Sequence, residues 1–118
     1  MRRVLIIGAG GIGSFLIPLL DKTTLYTLTV YDPDKVETKN LTYQNFEKDD
    51  VGRYKVKVMN TRYNLKAAEP YPILTETQVK KFDLVVCCAD NLDVRRMLYR
   101  ANVNFLDLRA QGRNCALI

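Results

Sequence analysis

Six residues near the start of the chain, Gly8-Ala9-Gly10-Gly11-Ile12-Gly13, follow the apolar run Val4-Leu5-Ile6-Ile7 without a break, and nothing else in the sequence restricts the fold as strongly. A continuous aliphatic run of this kind reads as a strand buried on both faces. Glycines spaced G-x-G-x-x-G at its end allow a tight turn and bring backbone amides close to a phosphate. They also open a helix whose N-terminus attracts anions. Ile12, Phe15, Leu16 and Leu19 recur at i, i+3, i+4 and i+7 and predict the buried face of that helix. Pro18 lies inside it and, lacking an N–H, is expected to kink or shorten it.

The remaining elements alternate. Leu25–Tyr31 reads as a strand ending at Asp32-Pro33-Asp34. Residues 33–50 are polar and irregular, and connections of that length are usually functional or disordered. Val51, Tyr54, Val58 and Leu65 predict a helix running to about residue 66. Pro70 and Pro72 leave room only for a short edge strand at Ile73-Leu74. Phe82–Cys88 is a strand, and Val94, Met97, Leu98 and Ala101 mark a helix. Val103–Leu108 is a further strand, Gly112 a turn, and Cys115–Ile118 the start of one more strand. Strands alternating with helices predict a Rossmann-like α/β fold, one domain over residues 1–118. Its sheet is mostly parallel, with right-handed crossovers and helices on both faces.

Composition removes several chemistries. The 118 residues suffice for one core without disulfide or metal support. With no histidine there is no Ser-His-Asp or Cys-His pair and no histidine-bearing zinc site. Cys87 and Cys88 are adjacent and Cys115 is alone, so no C-x-x-C exists; all three read as small buried apolar residues. The net charge of +5 is spread evenly, with nine basic and seven acidic residues in 1–59 and nine and six in 60–118. A nucleic-acid binder would show a basic stripe or tail, so an anionic small molecule or an acidic protein fits better. No apolar run reaches the ~18–20 residues of a membrane span. Met1-Arg2-Arg3 leads straight into a strand with no cleavage-site pattern. The expectation is a cytoplasmic protein without a membrane or nucleic-acid partner.

Three side chains then favour one nucleotide over another. Asp32, 19 residues beyond Gly13, stands where a carboxylate accepts from ribose hydroxyls and repels a 2′-phosphate. Lys55 offers a point charge for phosphate, and Asp90, in Ala89-Asp90-Asn91, a hard oxygen ligand for Mg²⁺. Both follow strand ends, the edge at which open α/β sheets bind ligands. A dehydrogenase using NAD needs neither group, whereas an enzyme acting on ATP needs both.

Four motifs in order resemble the ThiF/MoeB adenylyltransferases, whose fold also forms the adenylation domain of ubiquitin-activating enzymes. They are Gly8 to Gly13, Asp32-x-Asp34-x-Val36-x-x-x-Asn40-Leu41-x-x-Gln44, Gly52-x-x-Lys55, and Cys88-Ala89-Asp90-Asn91 with Arg95. The resemblance implies adenylation of the C-terminal carboxylate of a ubiquitin-like or sulfur-carrier protein ending in Gly-Gly, giving an acyl-adenylate and pyrophosphate. It implies that Gly8, Gly10, Gly11 and Gly13 cradle the nucleotide with Asp32 and Asp34. Asn40, Gln44 and Lys55 then act on the phosphates, and Asp90 holds Mg²⁺. The family's Asn-x-x-Arg-Gln stands here as Asn40-Leu41-Thr42-Tyr43-Gln44, with a neutral tyrosine in the arginine's place. Two alternatives stay open: a non-catalytic nucleotide-binding homologue or partner subunit, and an NAD-dependent oxidoreductase fragment. The family's sheet continues beyond this length, so an edge covered by a homodimer mate or partner subunit is expected.

Overall fold

The computed structural model describes the backbone of residues 1–111 and 114–117 and the side chains of residues 1–108. β1 (Arg2–Ile7), α1 (Gly13–Thr23) and β2 (Tyr26–Tyr31) come first. Two 3₁₀ turns follow at Thr38–Thr42 and Lys48–Asp50, then α2 (Lys55–Arg62) and β3 (Ala67–Glu69). α3 (Glu76–Lys80), β4 (Leu84–Cys87), α4 (Leu92–Ala101), β5 (Phe105–Gln111) and β6 (Asn114–Leu117) complete the order. The strands form one sheet ordered β3-β2-β1-β4-β5-β6, parallel except for β6, which pairs antiparallel with β5. The expected turn at Gly112 and the side chain of Cys115 lie outside the described residues.

Alternate residues of the central strands feed two cores. Val4, Ile6, Leu28, Val30 and Val86 pack under α1 and α2 with Ile17, Val56, Val58 and Met59. Leu5, Ile7, Val85 and Cys87 pack on the other face with Val79 of α3 and Val94, Met97 and Leu98 of α4. The helices therefore cover both faces of a mostly parallel sheet, the Rossmann-like arrangement expected.

Four local expectations need correction. Helix α1 buries Gly13, Ser14 and Ile17, while Phe15 and Leu19 of the predicted face are 48% and 63% exposed. Its rotation is set by Gly13, where a Cβ would lie 1.9 Å from the Gly8 carbonyl oxygen, so the glycine must face the strand end. Nor does Pro18 shorten the helix, which runs on past it to Thr23. The second helix begins at Lys55, because residues 51–54 pair back onto the preceding loop. Gly52 N donates to Val36 O (2.9 Å), Val36 N to Arg53 O (2.8 Å) and Lys55 N to Asp34 O (3.0 Å). Finally, the edge strand is Ala67–Glu69, paired with Thr29–Tyr31, and Ile73 is a buried loop residue before α3. Pairing with β2, sealed by Lys66 N to Leu28 O (2.7 Å) and Asp32 N to Glu69 O (3.1 Å), overrides the weak β-propensity of Ala-Ala-Glu.

Candidate nucleotide site

The strand order reverses between β1 and β4, and both chains leave the sheet there side by side. Gly8, at φ +99°, needs a glycine on two counts: its backbone angle, and a Cβ that would meet Ala89 N at 3.0 Å. Above this crossing opens a cleft of about 1110 Å³ at the carboxyl ends of the strands. Gly8, Gly10, Gly11, Asp32, Asp34, Asn40, Gln44, Lys55 and Asp90 all line it. Gly13 does not, and its role is to let α1 approach Gly8.

Asp32, at the end of β2, is buried, and each of its oxygens takes one backbone amide: Ala9 N at 2.7 Å and Asp34 N at 2.8 Å. Burial raises its pKa above the ordinary value, although these two amides and the Lys55 charge pull the other way. The carboxylate thereby ties the glycine turn to the end of β2 and keeps lone pairs for a ligand hydroxyl. Helix α1 starts beside it with no acidic residue in its first turn, so no side chain offsets the positive end of its dipole, although the Ser14, Phe15 and Leu16 amides are already bonded to Gly10 O and Ile12 O.

Lys55 opens α2 and is only 6% exposed. Among the described residues its ammonium forms no ion pair. The other cleft lysines are engaged: Lys39 lies 3.3 Å from Glu37, and Lys35 sits over the Tyr54 ring at 5.0 Å. Gln44 is buried over Gly10, and its Oε1 has no hydrogen-bond partner among the described residues. Orphaned buried polar atoms are uncommon, and this one belongs to a side chain that lines the cleft. Asn40 is differently placed. Its Oδ1 accepts from Glu37 N at 2.8 Å and its Nδ2 donates to the Tyr43 hydroxyl at 3.3 Å, so its amide serves the loop's own structure.

Asp90 stands at the opposite rim with its side chain fully exposed, and Nη2 of Arg95 reaches its Oδ1 at 3.4 Å. Arg95 is buried in α4 and gripped by Asp107 of β5, with Nε 2.9 Å from Oδ2. Arg95 stands in the last of the sequence motifs, which assigns it no role, and Asp107 belongs to none of them. Among the described residues no group of three metal-binding side chains occurs. Mg²⁺ at phosphate sites keeps its waters and takes one or two carboxylates plus phosphate oxygens, so a lone exposed Asp90 fits that ion. Pro72, Ile73 and Val94, none of them in a motif, add an apolar wall together with Ala89. Cys88 also lines the cleft, but burial pushes its thiol up to about 12, which makes it a packing residue and not a nucleophile.

A phosphate-seeking glycine turn, a ribose-type acidic residue at the end of β2 and a cleft at the switch point define a nucleotide-binding domain of the doubly wound α/β class. The chain belongs to the ThiF family, whose profile matches residues 1–107. Ubiquitin-like modifier-activating enzyme 5 of Drosophila mojavensis is 28% identical over 131 residues, covering 90% of this chain and 33% of that protein. The adenylyltransferase and sulfurtransferase UBA4 of Candida albicans is 31% identical over 106 residues, covering 81% and 24%. Among solved structures, E. coli MccB superposes with a TM-score of 0.82 at 26% identity, covering 99% of this chain and 37% of MccB. MccB has also been solved with AMPCPP and MccA, and there the identity is 30%, the TM-score 0.76 and the coverage 91% and 36%. The chain spans about a third of the length of the first curated relatives. No helix among the described residues is long and apolar enough to cross a membrane.

Proposed function

We propose that residues 1–118 form a single ATP-binding domain that adenylates the C-terminal carboxylate of a ubiquitin-like or sulfur-carrier protein ending in Gly-Gly. Family membership supports the reaction class, and the relatives' names support the kind of partner. The observation that carries the reading is Lys55, a lysine only 6% exposed whose ammonium forms no ion pair among the described residues and which lines the same cleft as Gly10, Gly11 and Asp90. A dinucleotide redox site does not require that charge.

In the proposed reaction a carboxylate oxygen of the carrier attacks the α-phosphorus of ATP. The new C(O)–O–P linkage forms as the bond to the bridging oxygen breaks, and pyrophosphate leaves with the electron pair. The attacking carboxylate is already ionised at neutral pH, so the step requires no general base, which suits a chain without histidine. Catalysis is then positioning and charge neutralisation. The amides at Gly10 and Gly11 and the Lys55 ammonium meet the phosphates, Asp32 takes the ribose with Asp34 beside it, and Gln44 closes over the glycine turn. Asn40 orders the loop that carries Gln44. Asp90 would hold Mg²⁺, whose charge would offset that of the departing pyrophosphate.

Calorimetric titration tests this directly: Mg·ATP binds and NAD does not. Tighter NAD binding would overturn the ATP assignment. Asp90→Ala is expected to abolish the magnesium dependence of ATP binding with the fold intact, and unchanged affinity in that variant removes Asp90 as the metal ligand. Tyr43, standing where the family pattern has arginine, favours a second reading, a nucleotide-binding homologue that does not catalyse. ATP–pyrophosphate exchange in the presence of a Gly-Gly-ended carrier separates the two.

A further inference from the structure

The loop bearing Gln44 is fastened to helix α1 at the one turn where that helix lacks a bond of its own. Pro18 has no N–H, so the Ser14 carbonyl four residues earlier has no helical donor, and the proline ring crowds that carbonyl. Asn45 fills the gap. Its Nδ2 donates to Ser14 O at 3.0 Å and to the Tyr63 hydroxyl at 3.4 Å, and its backbone amide donates to the Ser14 hydroxyl at 3.0 Å. The Ser14 hydroxyl in turn donates to Gly10 O. Ser14 is fully buried, so its carbonyl could not turn to water instead. The chain of bonds runs from the phosphate-facing glycine turn through Ser14 to Asn45, whose neighbour Gln44 lies against Gly10.

We infer that Pro18 and Asn45 form a clip in which the missing helical hydrogen bond at Ser14 is the docking point that sets Gln44 over the glycine turn. Asn45 is a positioning residue, and Pro18 keeps its docking point open. The clip's effect on ATP rests on the proposed function; the clip itself does not.

Pro18→Ala returns an N–H to the helix, which then competes with Asn45 for Ser14 O. A proline inside a helix is unfavourable, so this variant melts at a higher temperature than the parent. Its Asn45 amide exchanges faster with solvent, and its affinity for Mg·ATP falls. Stability and affinity thus move in opposite directions, which a purely structural role for the proline would not produce. Asn45→Ala lowers affinity for Mg·ATP about tenfold, the loss expected when one to two hydrogen bonds no longer hold the loop. Adding Pro18→Ala to Asn45→Ala changes affinity no further, because both act on one contact. Unchanged Asn45 exchange in Pro18→Ala overturns the clip, and so does an affinity loss that multiplies in the double variant. A parent protein that takes up no Mg·ATP would refute the ATP reading alone, since amide exchange in the nucleotide-free protein still decides the clip.

Discussion

Lys55 and Asp32 face the same cleft with opposite charges. The Lys55 ammonium forms no ion pair among the described residues, so its charge contributes little to the empty fold. Lys55→Met keeps the length of the side chain and removes the charge. The variant is expected to melt at the parent temperature or above it. Its Mg·ATP affinity should fall ~10–100-fold, the equivalent of one charge-assisted hydrogen bond at ~1.5–3 kcal/mol. A large drop in melting temperature would make Lys55 a structural residue. Asp32 carries the pH dependence. Its folded pKa lies above the ordinary 3.8, with burial as the main cause. The folded state therefore holds this proton more tightly than the unfolded chain does. The stability it contributes is present below 3.8 and is lost as pH rises through the raised folded value. Ligand binding runs the other way, because accepting from ribose requires the ionised form. Affinity for ATP should fall as pH drops through that raised value, and Asp32→Asn should flatten this acid limb in calorimetric titrations.

At the scale of elements, helix α1 separates what periodicity could reveal from what it could not. The spacing of Ile12, Phe15, Leu16 and Leu19 announced a helix, and a helix is there, but its buried face is turned toward Ser14 and Ile17. A periodic stripe reports that a face exists. The orientation came instead from a glycine whose missing Cβ is needed against the Gly8 carbonyl, a tertiary contact that hydropathy does not encode. The same holds for β3, where Ala-Ala-Glu is a strand because β2 offers it an edge, while Ile73 sits in a loop and packs into the core with Val79. The long strands and the α4 stripe were legible because they are long and strongly patterned. Two substitutions decide the orientation of α1. Ile17→Ala removes a fully buried side chain and should cost ~2–5 kcal/mol by urea denaturation. Leu19→Ala, on the predicted but exposed face, should stay within ~0.5 kcal/mol. Equal costs would restore the face read from periodicity.

Across the whole molecule, residues far apart in sequence meet because a parallel sheet sends every strand's carboxyl end to one side. That rule brings Asp32, Lys55 and Asp90 to a single mouth, since each follows a strand or opens the next helix. It could not show how Asp90 is held, because the support is a pair of buried charges on α4 and β5 without a spacing signature. Arg95 and Asp107 have side chains 8% and 1% exposed, and together they join the helix that follows β4 to the neighbouring strand. Taking the guanidinium from such a pair removes a charge partner of a buried carboxylate, which is where the large cost of breaking it arises. Arg95→Met keeps most of the packing volume and is expected to lower stability by ~3–5 kcal/mol in denaturant titrations. Lys80→Ala breaks an exposed pair with Glu76 at 3.4 Å, both side chains more than 40% exposed, and should cost ~0.5 kcal/mol or less. Salt distinguishes the two further, because screening weakens the surface pair and hardly touches the buried one. If Arg95→Met were as mild as Lys80→Ala, the α4–β5 junction would stand on apolar packing alone, and Asp90 would owe its place at the rim to the turn before α4.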